Sequence, residues 1–133
     1  MRRVIPANKV NHDYEKVLSE FVSALKNRLG EYLLMVYLTG SYARGDANDN
    51  SDLDVFCIFS TINQYVLENV GHCARNTSIP YDLLEINTQC LSVDEYKSKI
   101  FEDWSEYAIA ELNSVLLYGE QLVKIENINE KIQ

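Results

Sequence analysis

Three cysteines, at positions 57, 73 and 90, form no C-x-x-C pair, and the two histidines, His12 and His72, lie far apart. Neither a zinc site nor a disulfide framework can be read from such a set. The expectation is free thiols, buried or half-buried, and two polar surface histidines. Basic residues are also scarce, 12 lysines and arginines against 20 acids, for a formal charge of -8. A general nucleic-acid surface needs clustered lysine and arginine to neutralise phosphates, so direct nucleic-acid binding is not expected. No apolar run approaches the roughly 20 residues of a membrane-spanning helix. The opening MRRVIP is too short and too quickly polar for a secretory signal, which points to a soluble, cytoplasmic protein. Repeats, low-complexity tracts and linkers are absent. A chain of 133 residues with 47% hydrophobic content suits one globular domain, 1–133, burying about two-thirds of its unfolded surface. A second catalytic domain does not fit in that length.

What the chain does contain centres on residues 38–56, LTGSYARGDANDNSDLDVF. The run before it, YLLMVYL over residues 32–38, is continuously apolar, as a strand covered on both faces would be. That predicts a central strand. It ends at Thr39-Gly40-Ser41, where Gly40 permits close backbone approach to a ligand and Ser41 can cap a short helical turn through Arg44. Free N–H groups at such a turn suit phosphate. Gly45 closes the turn, a polar loop follows over residues 46–50, and a second strand is predicted over 51–59. Strand alternation puts Asp52 and Asp54 on one face. Two carboxylates at this spacing can share one or two hard cations, and magnesium so held completes its shell with water and substrate phosphates. Turn and acids together read as a metal-dependent nucleotide site.

Other phosphate-binding motifs do not fit. Residues 40–45 have the outer spacing of a Walker A loop, but Asp46 stands where the lysine belongs. No third glycine completes a dinucleotide-binding or kinase-type loop.

Around this centre, Tyr14, Val17, Leu18, Phe21, Leu25 and Leu29 share one face of a helix predicted from residue 12 or 13 to 29, ended by Gly30. Thr61 is the expected cap of a helix carrying Tyr65, Val66 and Val70, which Gly71 can interrupt before Cys73. Residues 75–80 read as a loop and 81–87 as a strand. Ser92-Val93-Asp94-Glu95 matches a capping box, placing a helix start there. From Trp104 to Leu116 helical spacing continues, although residues 114–118 equally suit a short edge strand. The tail 120–133 reads as a last helix that packs on the domain or docks a partner.

The stretch GSYARGDANDNSDLDVF resembles the signature of the DNA polymerase beta-type nucleotidyltransferase superfamily. In its short form it is similar to the minimal nucleotidyltransferase (MNT) branch, which includes antitoxins paired with HEPN-domain toxins. The resemblance covers roughly residues 12–119. It implies an α/β (α+β) fold, a small mixed β-sheet flanked by helices. It further implies two magnesium ions, with manganese as a substitute, and transfer of a nucleoside monophosphate from a triphosphate such as ATP. Carried onto this chain, Gly40 and Ser41 hold the triphosphate and Asp52 and Asp54 bind metal. Arg44 either meets the β- or γ-phosphate or is an exposed helix-end residue, and both readings stand. The family's third carboxylate lies between apolar residues on a later strand, which leaves Asp82 or Glu85. Asp82 is preferred because DLLEIN over residues 82–87 resembles the family's common string, and alternation allows only one of the two to face the metals.

The implied acceptor is a tyrosine of a HEPN-type ribonuclease toxin, with this chain as antitoxin and its acidity complementing a basic partner. Two alternatives stay open: a small-molecule nucleotidyltransferase resembling the aminoglycoside enzymes, whose acceptor domain this chain lacks, and a non-catalytic binding module. Assembly into an oligomer also stays open.

Overall fold

Residues 7–48, 50–79, 84–102 and 114–119 are described by a computed structural model of the chain. Its centre is the apolar run, which forms strand β1 (Leu33–Thr39), nearly all of it buried. Strand β2 (Leu53–Phe59) pairs antiparallel with β1 along one side, and β4 (Val115–Gly119) pairs antiparallel along the other. Beyond β2 lies β3 (Ile86–Ser92), parallel to it, so the mixed sheet has the order β3-β2-β1-β4. The expected central position of the first strand is observed. Of the two readings left open for residues 114–118, the structure adopts the edge strand.

Helix α1 (Ala7–Leu29) covers one face of the sheet, burying Val17, Leu18, Phe21, Leu25 and Leu29 against Val36, Leu38, Val55, Cys57 and Phe59. It begins several residues before the expected start. A parallel pair such as β2–β3 needs a crossover, and α3 (Gln64–Ser78) supplies it on the same face as α1. Here two expectations fail. The cap is Asn63, whose side-chain oxygen accepts from Val66 N at 2.9 Å, and not Thr61. The helix also runs unbroken through Gly71 to Ser78, because burial of Val70, Cys73, Ala74 and Thr77 outweighs the roughly 1 kcal/mol that a mid-helix glycine costs. Residues 75–78 are therefore its last turn and no loop.

The second face of β1 and β2 presents Met35, Tyr37 and Ile58, covered by Tyr96 of helix α4 (Val93–Glu102). Tyr37 stacks on Phe56 with ring centroids 5.2 Å apart. The capping box forms as expected: Glu95 N donates to Ser92 Oγ at 3.2 Å, and Ser92 N reaches back to Glu95 Oε1 at 3.4 Å. Strand β3 lies later than the reading of 81–87 and runs on to Ser92. Its parallel register, from Leu53 opposite Ile86 to Phe59 opposite Ser92, matches the full length of β2. Residues 81–83 and the tail 120–133 lie outside the described residues.

Candidate functional site

At the end of β1 the chain turns through α2 (Gly40–Arg44), a single helical turn closed by Gly45 in the left-handed conformation at φ 86°. Gly45 N and Asp46 N both donate to Ser41 O at 3.0 Å. The residue at the N-cap is Thr39, which makes no side-chain cap, so the expected capping role of Ser41 is not seen. Tyr42 is buried and its ring meets that of Tyr14 of α1 at 4.8 Å, which anchors the turn to the core. The loop before β2 is tied to itself through Asn48: its Oδ1 accepts from Asn50 N at 2.8 Å, its carbonyl accepts from Ser51 N, and its own N–H donates to Ser51 Oγ. A loop organised by such short-range bonds delivers Asp52 and Asp54 to a defined place beside the turn.

Pairing across three strands puts Thr39, Asp54 and Asn87 in one row. The Asp54 carboxylate is half-buried and held on two sides. Asn87 Nδ2 donates to its Oδ1 at 3.1 Å. Gly40, at φ +73°, lies against the other oxygen so closely that a Cβ there would run into Oδ2 and stand 3.2 Å from Cγ. Gly40 is thus required both by its backbone angle and by the carboxylate beside it. Thr39 Oγ1 adds a contact to the Asp54 carbonyl at 3.3 Å. Asp52, immediately before β2, is exposed. Gly40, Ser41, Asp52 and Asp54 are therefore brought to one mouth of the sheet.

Arg44 is exposed and pairs with Asp46, Nε to Oδ2, at 3.4 Å. An exposed pair of this kind contributes about 0–1 kcal/mol, so it restrains the arginine only weakly. Asp82 lies outside the described residues. Glu85 is exposed and precedes β3, with its carbonyl accepting from Leu53 N at 2.8 Å. Among the described residues no three acidic, histidine or cysteine side chains gather closely enough to hold a metal ion by themselves. Two carboxylates at an open mouth still suit a hard cation, because magnesium takes much of its shell from water and substrate phosphates and does not need an all-protein cage.

The contributions of Asn87 and Thr39 have no counterpart in the sequence reading. Asn87 stood in the string 82–87 with no role, and only the parallel register places it opposite Asp54. The thiols sit behind the sheet, on the face of α1 and α3. Cys57 and Cys73 are buried and Cys90 half-buried, all free, as expected. Cys57 hydrogen-bonds through its thiol to Cys90 and is buried, so its pKa is raised well above that of an ordinary thiol. Cys90, accepting that bond, is lowered. His72 is half-buried, its Nε2 2.8 Å from the Asn76 amide.

A family model described as a nucleotidyltransferase domain matches residues 18–132. The chain is 39% identical over 54 residues to MJ0604 of Methanocaldococcus jannaschii, a protein named as a protein adenylyltransferase. That stretch is 41% of this chain and 54% of the relative, so the match reaches about half the relative's length. Among solved structures, a nucleotidyltransferase from Sulfolobus solfataricus superposes with a TM-score of 0.59 at 21% identity, covering 92% of this chain and 99% of that one. A toxin–antitoxin structure with AMP-PNP superposes at 0.56 with 18% identity, over 86% and 83% of the two chains. At these identities the two structures are alike in fold.

Proposed function

The chain belongs to the nucleotidyltransferase-domain family, and from that premise we propose that it transfers AMP from ATP to a hydroxyl of a partner protein in a reaction dependent on divalent metal. The observation that carries this reading is the seating of the Asp54 carboxylate between Gly40 of the turn and Asn87 of β3. Such seating joins the phosphate turn and the acid of the motif at one end of the sheet. Asp52 and Asp54, with Asp82 as the third acid, would hold magnesium or manganese; Gly40 and Ser41 would line the triphosphate, and Arg44 would leave Asp46 to meet a terminal phosphate. Bound there, the divalent ions supply neutralisation of the triphosphate and activation of the attacking oxygen. The acceptor oxygen bonds to the α-phosphorus, the bond from that phosphorus to the bridging oxygen breaks, pyrophosphate leaves, and the hydroxyl proton passes to solvent. Without metal, the acids and the polyphosphate repel one another, so ATP affinity falls steeply in excess chelator.

As to the acceptor, the name of the archaeal relative favours a protein hydroxyl, and the resemblance of residues 40–56 to the antitoxin branch makes a tyrosine of a HEPN-type toxin the acceptor proposed here. The formal charge of -8 suits a basic partner. The test is intact-mass spectrometry of a candidate HEPN-type partner protein after incubation with this chain, ATP and magnesium. An adenylate adduct that disappears with Asp52→Ala/Asp54→Ala supports the proposal, and fragmentation locates the acceptor. A tight complex with no adduct from either version refutes catalysis and leaves neutralisation by binding. Turnover of an aminoglycoside by the chain alone would instead make the acceptor a small molecule.

A further inference from the structure

We propose that Asn87 is a positioning residue for the metal site: its side-chain amide sets the direction in which the Asp54 carboxylate presents its lone pairs. The inference rests on the functional reading above and adds to it a residue that touches neither metal nor substrate through the atom concerned. An amide nitrogen cannot ligate a cation, and only that end of the amide can face a carboxylate oxygen, since the carbonyl end would repel it. The 3.1 Å bond from Asn87 Nδ2 to Asp54 Oδ1 therefore defines the orientation of both side chains.

Packing does not account for Asn87. It is exposed near the start of β3, where asparagine is a poor strand former, and its described side-chain contact is the one to Asp54. On the other flank, the carboxylate fills the space that a Cβ at residue 40 would take. A half-buried acid gripped on two sides is pre-oriented, and its outward lone pairs stay open for a cation. Without the amide, one of the two contacts that orient the carboxylate is lost. Removing an outer partner of a metal ligand typically weakens metal binding by about 10–100-fold.

The test is titration of the full chain with manganese, followed by electron paramagnetic resonance, in the presence of a non-hydrolysable ATP analogue. Asn87→Ala and Asn87→Leu, the second keeping the volume without the donor, are compared with the unsubstituted chain, and thermal melting is recorded for each. Expected is a manganese dissociation constant raised about tenfold or more in both variants, with unchanged melting and with analogue affinity restored at saturating manganese. A purely structural role would shift the melting and leave the deficit at saturating metal. Manganese affinity equal to that of the unsubstituted chain in either variant overturns the inference and leaves the proposed function intact. Failure of the unsubstituted chain to bind manganese with the analogue would refute the metal-dependent reading itself, and the inference with it.

Discussion

Two glycines bracket the turn at the site, and replacing each by alanine separates backbone strain from displacement of the carboxylate. Gly40 and Gly45 have nearly the same left-handed backbone, φ 73° and 86°. Their surroundings differ: a Cβ at Gly45 meets nothing within 4 Å, whereas one at Gly40 runs into the Asp54 carboxylate. Gly45→Ala should therefore cost only the left-handed penalty, about 1–2 kcal/mol. Gly40→Ala carries the same penalty plus overpacking of about 1–3 kcal/mol, for a total of about 2–5 kcal/mol. Moving the Asp54 carboxylate to relieve the clash should also disturb its bond to Asn87. Urea denaturation measures the stability difference, and titration with manganese and a fluorescent ATP analogue measures the site. Gly45→Ala should bind within about twofold of the unsubstituted chain, and Gly40→Ala at least about tenfold more weakly. Equal stability losses together with equal binding would refute the claim that Gly40 exists to seat the carboxylate.

Three further outcomes are expected. Asn63→Ala should destabilise the chain by about 1 kcal/mol, while Thr61→Ala stays within about 0.5 kcal/mol; the reverse order in urea melts would contradict the observed cap. Arg44→Ala should weaken ATP binding about tenfold or more by removing a charge-assisted bond to phosphate, and Asp46→Ala, by freeing Arg44, should tighten it by no more than about fivefold. If neither substitution changes ATP affinity, Arg44 is a bystander. Among the three thiols, Cys90 should be alkylated first by iodoacetamide, and its rate should rise at lower pH than for an ordinary thiol, because accepting a bond from Cys57 favours its thiolate. Cys57→Ala should move that profile back up in pH, and an unmoved profile read by peptide mass spectrometry would show the pairing to be absent.

Short-range features were legible from residue order. An apolar run covering both faces made β1 recognisable, and the spacing of Ser92 and Glu95 announced a cap that closes within one helical turn. The site motif was readable for the same reason: strand end, glycine turn and paired acids follow one another within residues 38–56, so local chemistry placed Gly40, Ser41, Asp52 and Asp54 together. Where several polar residues could serve one local role, residue order did not discriminate: Asn63 and not Thr61 caps α3, and Thr39 stands at the N-cap of α2 with no side-chain bond.

Tertiary structure alone decided the remainder. Nothing in residue order states that β2 and β3 run parallel in the register that sets Asp54 opposite Asn87, because that alignment depends on how α3 packs beneath both strands. The same packing held α3 intact across Gly71 and carried β3 on to Ser92. Residue order thus brought out the turn at Gly40 and the acids Asp52 and Asp54 as the candidate site. The direction in which Asp54 points was left to contacts across the sheet, since a side chain's orientation is set by neighbours that lie close in space and distant along the chain.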